Sequence, residues 1–271
     1  MLASPLFGDT VPKIQLGTQT NAWAIDPDQI GTLYSVLRRI NELGFKGFET
    51  GYRNFQSVTG DLKPVQAHLE STGLTFFGIH IFLLNYDEKT HIAPEVLYTK
   101  VIETGSALGA KHLILSGSPC QSESDLANKA AGLNHAGRIA FESGLSVAYH
   151  NHSPEFQKGE REIRYLIENT DAKAVGFVVD AGHAFRAGAD VPSFLSTHAS
   201  RVIGVHLRDS RNGQEVPLGE GDFPLEATAR ALRDANWSGW ALLEEERTDG
   251  SKPGDAAIVP AFQALRRAFP A

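Results

Sequence analysis

The sequence predicts a single (β/α)8 barrel, an α/β fold with eight parallel strands, and three observations carry that prediction. Eight short apolar runs alternate with longer amphipathic segments along the 271 residues, which is the pattern of repeated strand and helix units. Several amphipathic segments stop at a glycine followed at once by a strand, in "NELGFKGFE", "LESTGLTFF", "ALGAKHLIL" and "FESGLSVAY", as a left-handed residue just past a helix end would require. The length suits one barrel, for which ~250 residues are typical, and no linker or low-complexity tract divides the chain, so one domain over 1–271 is expected. An open doubly wound sheet is the competitor. It usually carries a glycine-rich phosphate turn after its first strand, whereas this strand runs into "GTQTNAW" without GxGxxG.

The elements follow in order, and in a barrel the last residues of each strand are the ones that reach the catalytic face. Strand one (14–20) carries Gln19 near its end, strand two (47–50) carries Glu49, and strand three (75–82) carries His80. Strand four (112–116, HLILS) supplies no candidate. Strand five (146–152, SVAYHNH) ends in His150, Asn151 and His152, with Glu155 on the loop beyond; both histidines share parity and face one side. Strand six (175–180) ends "VVDAGH", giving Asp180 and His183. Strand seven (202–207) ends "VHLRDS", giving His206, Arg208 and Asp209. Strand eight (240–246) ends "LLEEER": Glu244 and Glu246 share a face, and Glu245 opposes them in a solvated or ion-paired position. Between the strands, segments 28–43, 93–108, 122–143 and 225–235 place apolar residues at three- and four-residue spacing and read as helices. The glycine-rich "PLGEGDFP", 217–224, reads as a helix-entry turn with Asp222 as cap and Pro224 in the first turn. Glu220 and Asp222 would repel a phosphate there.

Composition narrows the function classes. With 42% hydrophobic and 21% charged residues the chain is an ordinary globular protein, and a formal charge of −7 opposes a broad nucleic-acid surface. The N-terminus, MLASPLFGDTVPK, lacks a charged stretch followed by an apolar one, no apolar run reaches 18 residues, and the single Cys120 excludes an intrachain disulfide framework. A cytoplasmic protein acting on a small molecule, with no membrane or nucleic-acid partner, is expected; self-association is left open. Four consecutive strands ending in His, Asp or Glu are hard to explain as packing, because such groups buried together need a cation or hydrogen-bonded partners. Mixed imidazole and carboxylate without thiolate suits one divalent ion, Mn²⁺, Co²⁺, Mg²⁺, Zn²⁺ or Fe²⁺, at an open site.

"VVDAGH", "VHLRDS", "PLGEGDFP" and "WSGWALLEEE" resemble the xylose isomerase-like barrel superfamily: sugar phosphate isomerases and epimerases, ketose 3-epimerases, inosose and dehydroshikimate dehydratases, and apurinic-site nucleases of the endonuclease IV type. The resemblance covers essentially the whole chain. It implies one divalent metal held by groups from strands five to eight, at His150, Asp180, His206 and Glu244. The chain departs from the epimerase pattern at the first of these, where epimerases have glutamate, and a related histidine pair occurs in inosose dehydratases. The nuclease branch uses further histidines on the strand-seven loop, which "RNGQEVPLGEG" lacks.

The expected activity is sugar or keto-sugar isomerisation or epimerisation, by proton abstraction beside a carbonyl through a metal-stabilised enediolate. Dehydratase or lyase action on an inosose or 3-keto-sugar is the runner-up, toward which His150 in place of glutamate tilts the reading. A non-catalytic sugar-binding or regulatory barrel is the alternative of another class. His150 or His152 is the candidate base, with Glu155 and Glu244 as further catalytic candidates. Glu49, His80, His183, Arg208, Arg211 and Glu246 are candidate substrate contacts, and Trp23 and Phe82 a candidate apolar wall.

Overall fold

The computed structural model describes residues 14–58, 60–83, 85–247 and 249–270. The N-terminal stretch read above for a targeting pattern lies outside them. In chain order the elements are β1 (Ile14–Gln19), α1 (Ile30–Leu43), β2 (Gly47–Gly51), α2 (Lys63–Ser71), β3 (Thr75–Ile81), α3 (Glu95–Leu108), β4 (His112–Leu115), α4 (Glu123–Glu142), β5 (Ser146–His150), α5 (Gln157–Asn169), β6 (Val175–Asp180), α6 (Ala181–Arg186), α7 (Val191–His198), β7 (Val202–Leu207), β8 (Asp209–Arg211), β9 (Gln214–Val216), α8 (Leu225–Asp234), β10 (Gly239–Leu243) and α9 (Asp255–Ala268). Eight strands close into one parallel barrel in the order β1-β10-β7-β6-β5-β4-β3-β2, and β8 and β9 form a separate two-stranded antiparallel ribbon. The expected single (β/α)8 barrel is therefore the observed fold.

The glycine punctuation works as expected. Gly44, Gly73, Gly109 and Gly144 all have φ between 68° and 96°, where a residue without Cβ sits at no steric cost. Helix α4 starts with a capping box, in which Ser122 accepts from the Asp125 amide while the Asp125 carboxylate accepts from the Ser122 amide. Asp222 is not a cap: α8 begins at Leu225 after Pro224 and has no side-chain cap. The glycine turn is organised from β8 instead, because the Asp209 carboxylate accepts from the amides of Gly219, Gly221 and Phe223. The chain's own anion occupies those amides.

Alternation along the strands divides two cores. Outward residues pack beneath the helices, while Phe77, Ile114, Ala148, Val178 and Leu242, with Ile203 and Trp240, plug the barrel interior. Two register shifts keep the pattern correct. Phe48 pairs with Phe76 but Glu49 with Gly78, and Phe177 with Val202 but Val178 with Gly204, so Phe77 and Ile203 are each one residue extra. Each turns inward, and the residues beyond regain the phase that sends His80 and His206 into the barrel. Below them Trp240 fills the taper: a Cβ on Gly47 would lie 2.5 Å from its ring, so only glycine fits there.

Candidate functional site

Above the apolar plug, every barrel strand delivers one polar residue to a single layer at the C-terminal mouth: Gln19, Glu49, His80, Ser116, His150, Asp180, His206 and Glu244. All are buried, none more than 4% exposed. Such a layer is stable only if its members satisfy one another. Glu49 Oε1 accepts from Gln19 Nε2 at 2.5 Å and meets His80 Nδ1 at 2.8 Å, while Glu49 Oε2 lies 2.8 Å from His206 Nε2. The other His206 nitrogen, Nδ1, is 2.8 Å from Glu244 Oε2, which is also 3.4 Å from His150 Nε2. His150 Nδ1 lies 3.3 Å from Ser116 Oγ, so the ring presents Nε2 to the centre.

His150, His206 and Glu244 each offer a ligand atom, and these atoms lie within 4.8 Å of one another. Two imidazole nitrogens and a carboxylate oxygen, buried together, match the donor set of a divalent-ion site. Without an ion, these groups compensate one another. Burial disfavours a charged His206, but the carboxylates of Glu49 and Glu244 outweigh it and hold the ring well above its usual pKa. Burial likewise works against the Glu49 and Glu244 anions, and is overcome by His206 and its neighbours; Glu49 is lowered to about 2 and Glu244 lies well below the usual range.

Asp180 stands beside this trio. Its Oδ2 is 3.7 Å from His150 Nε2 and 3.4 Å from Arg208 Nη1, while its Oδ1 accepts from the His183 amide at 2.7 Å and so caps α6. This explains "DAGH" locally, since the last strand residue doubles as the cap of the next helix. Gly182 leaves space for Arg208, whose Cγ would lie 2.3 Å from a Cβ there. Asn151 ties β5 to β6, accepting from the Asp180 amide and donating to the Asp180 carbonyl.

The other sequence candidates separate by position. His152 is half-buried at the rim, with ring centroids 5.3 Å from His150 and 5.1 Å from His183; burial, then those two rings, push it down to about 3. His183 Nε2 is 3.3 Å from Arg208 Nη1, and burial lowers its pKa too. Arg208 is 7% exposed and reaches Glu246 Oε2 at 3.7 Å, with Glu246 itself on the exposed rim. Arg211 lies exposed on the β8–β9 ribbon. Glu245, opposite Glu244 as parity demands, is buried and ion-paired with Arg247 at 2.5 Å. Glu155 is not brought to the layer: Tyr149 donates to its Oε1 and the His152 amide to its Oε2, and burial raises its pKa. Tyr149 alternates out of the barrel, so Glu155 braces the loop from behind. Ser116 went unread in the sequence, where a serine at the end of HLIL carries no signal of its own; only closure of the barrel gives it His150 as a partner.

Residues 37–268 match the xylose isomerase-like TIM barrel family. The chain belongs to this family. Among similar proteins, the inosose dehydratase of Clostridium perfringens is 26% identical over 87% of this chain and 91% of its own length. That of Lactiplantibacillus plantarum is 34% identical over a shorter stretch, 45% of this chain and 46% of the relative. The fold is shared with the solved IOLI protein with a bound zinc atom, at a TM-score of 0.76 and 17% identity over 94% of this chain and 97% of that one. Among the described residues no helix is long and apolar enough to cross a membrane.

Proposed function

We propose that this family member is a metal-dependent dehydratase of keto-polyols, removing water from a keto-sugar or keto-cyclitol by proton abstraction beside the ketone. The observation that carries the proposal is the convergence of His150, His206 and Glu244 within 4.8 Å in a buried layer, with the His152 imidazole next to them at the rim. His150, His206 and Glu244, with Asp180 as the nearest further carboxylate, are the residues that would hold the ion. Held there, a divalent ion would supply Lewis acidity toward a substrate carbonyl and so acidify the neighbouring C–H.

His152 is the base in this reading. Burial and its two histidine neighbours keep the ring neutral, with a free lone pair, through the physiological range. It takes the proton from the carbon beside the ketone; the hydroxyl on the next carbon departs and receives that proton, so the products are an unsaturated ketone and water. Arg208 and His183, side by side at the rim, hydrogen-bond substrate hydroxyls, and Ser116 and Glu49 fix the orientation of His150 and His206. The names of the two inosose dehydratase relatives support the same class, as does histidine at position 150.

The experiment is NMR of the metal-loaded protein in D2O with an inosose and a 3-keto-glucoside. An olefinic product supports the proposal. Deuterium incorporation with full retention of the hydroxyls would replace it by isomerase or epimerase action, in which the proton returns to carbon. No exchange and no stoichiometric metal would leave a sugar-binding barrel without catalysis.

A further inference from the structure

A cavity of about 220 Å³ opens beside the polar layer, over the ends of β1, β2 and β3, with Gln19 on its wall. Sites that take a whole ligand usually measure ~300–1,000 Å³. This one is below that range for drug-sized ligands and matches a single ring-sized group, and Gln19, bonded to Glu49, connects it to the His206 end of the layer.

Its lining carries unsatisfied chemistry. Asn21 Oδ1, Asn21 Nδ2 and Asn54 Oδ1 are buried and have no hydrogen-bond partner among the described residues. Asn54 is only 4% exposed, and its amide nitrogen is already spent on Thr50 Oγ1 at 2.8 Å. Buried polar groups are normally paired. Two of these three atoms are acceptors, which the oxygens of a carboxylate or phosphate dianion cannot satisfy. Hydroxyl groups both donate and accept, so two of them on one ring match the two acceptors and the donor.

The remaining walls suit a ring with apolar C–H faces. Phe82 stacks on His80 with centroids 4.0 Å apart, yet stays 43% exposed, and Trp23 is fixed by donating Nε1 to Asp255 Oδ1 at 3.1 Å. Arg53, 6.0 Å over the Phe82 ring, and Lys252 add donors at the edge, and no carboxylate lies among the described lining residues.

We propose that this cavity is a subsite for a second hydroxylated ring, so that the substrate is a keto-sugar linked to another sugar or polyol unit. The inference rests on the proposed function for the reacting end of the molecule and extends it to the other end.

Binding without turnover tests it. Trp23 is the tryptophan on this lining, whereas Trp237 is buried and Trp240 sits within the barrel plug, so tryptophan fluorescence reports occupancy. The metal-loaded protein is titrated with cellobiose, glucose, myo-inositol and glucose 6-phosphate. Cellobiose is expected to bind at least ~10-fold more tightly than glucose or myo-inositol, and Trp23→Phe to abolish the optical change. Asn54→Ala should cut cellobiose affinity ~10-fold by removing an acceptor for the ring hydroxyls, and Phe82→Ala, at an exposed position, should weaken it without touching the fold. Equal affinity for cellobiose and glucose, or variants that bind cellobiose as the parent does, would overturn the subsite. Preference for glucose 6-phosphate over cellobiose would overturn it as well, making Arg53 and Lys252 the seat of an anion. Failure of the D2O experiment removes the reaction and leaves this binding preference standing; loss of the preference leaves the reaction standing.

Discussion

His206 is clasped by two buried carboxylates, with Nε2 2.8 Å from Glu49 Oε2 and Nδ1 2.8 Å from Glu244 Oε2. Its pKa is held well above the usual value despite burial, so in the metal-free protein the ring carries a proton on the nitrogen that would face an ion. Metal binding at Nδ1 must displace that proton. Calorimetric titration with Zn²⁺ or Mn²⁺ in buffers of different ionisation enthalpy should record release of about one proton per ion, and affinity should weaken as the pH is lowered. Binding with no proton release would take His206 out of the ligand set.

Glu49 serves His206 from behind, and a carboxylate in that position orients a ligating imidazole and raises its basicity. Glu49→Gln should lower metal affinity ~10–100-fold, the usual effect of losing such a partner. It should also change acid stability. The folded pKa of Glu49 is lowered from 4.5 to about 2, so its stabilisation is present above pH 4.5 and is lost as the pH falls from there through about 2. The melting temperature of Glu49→Gln should therefore depend less on pH across that window than that of the parent. An unchanged pH slope would mean that the His206–Glu49 pair contributes nothing to folding.

Much of this site was legible because strand alternation is rigid. Glu49, His80, His150, Asp180, His206 and Glu244 each end or nearly end an apolar run, and all six arrive in one layer. Three features were hidden for physical reasons. Glu155 is close in sequence to His152, but Tyr149 and the His152 amide capture its carboxylate behind the loop. The glycine-rich turn at 219–223 gives its amides to Asp209, an assignment that depends on the β8–β9 ribbon bringing Asp209 across. The extra residues Phe77 and Ile203 break simple alternation; a count of every second residue along β3 or β7 holds only beyond them.

Asp180 performs two tasks with two oxygens, capping α6 through Oδ1 and facing His150 and Arg208 through Oδ2. Asparagine keeps the cap and removes the charge. Asp180→Asn should therefore unfold within ~0.5 kcal/mol of the parent as far as the cap is concerned, whereas Asp180→Ala should lose a further ~1 kcal/mol. If Oδ2 joins the ion when it binds, both variants should lose metal affinity alike. Denaturant titration of the metal-free proteins separates the first effect from the second, and full metal affinity in Asp180→Asn would confine Asp180 to capping and to positioning Arg208.

His152 and His150 are two residues apart on the same strand end, yet the structure gives them different surroundings. His150 is 2% exposed and 3.4 Å from Glu244 Oε2, while His152 is half-buried at the rim against two other imidazoles. The two substitutions should therefore fail differently. His150→Ala should lose the ion, and turnover with it. His152→Ala should keep metal stoichiometry and lose ~10²–10⁴-fold in kcat, the usual contribution of a positioned base. Because burial and its neighbours push His152 down to about 3, the ring is already unprotonated near neutrality, so its titration should not limit the rate between pH 5 and 8 as a free imidazole would. Metal analysis beside single-turnover rates checks both variants, and loss of the ion from His152→Ala would make His152 a ligand and leave the base to be sought among His183 and Glu246.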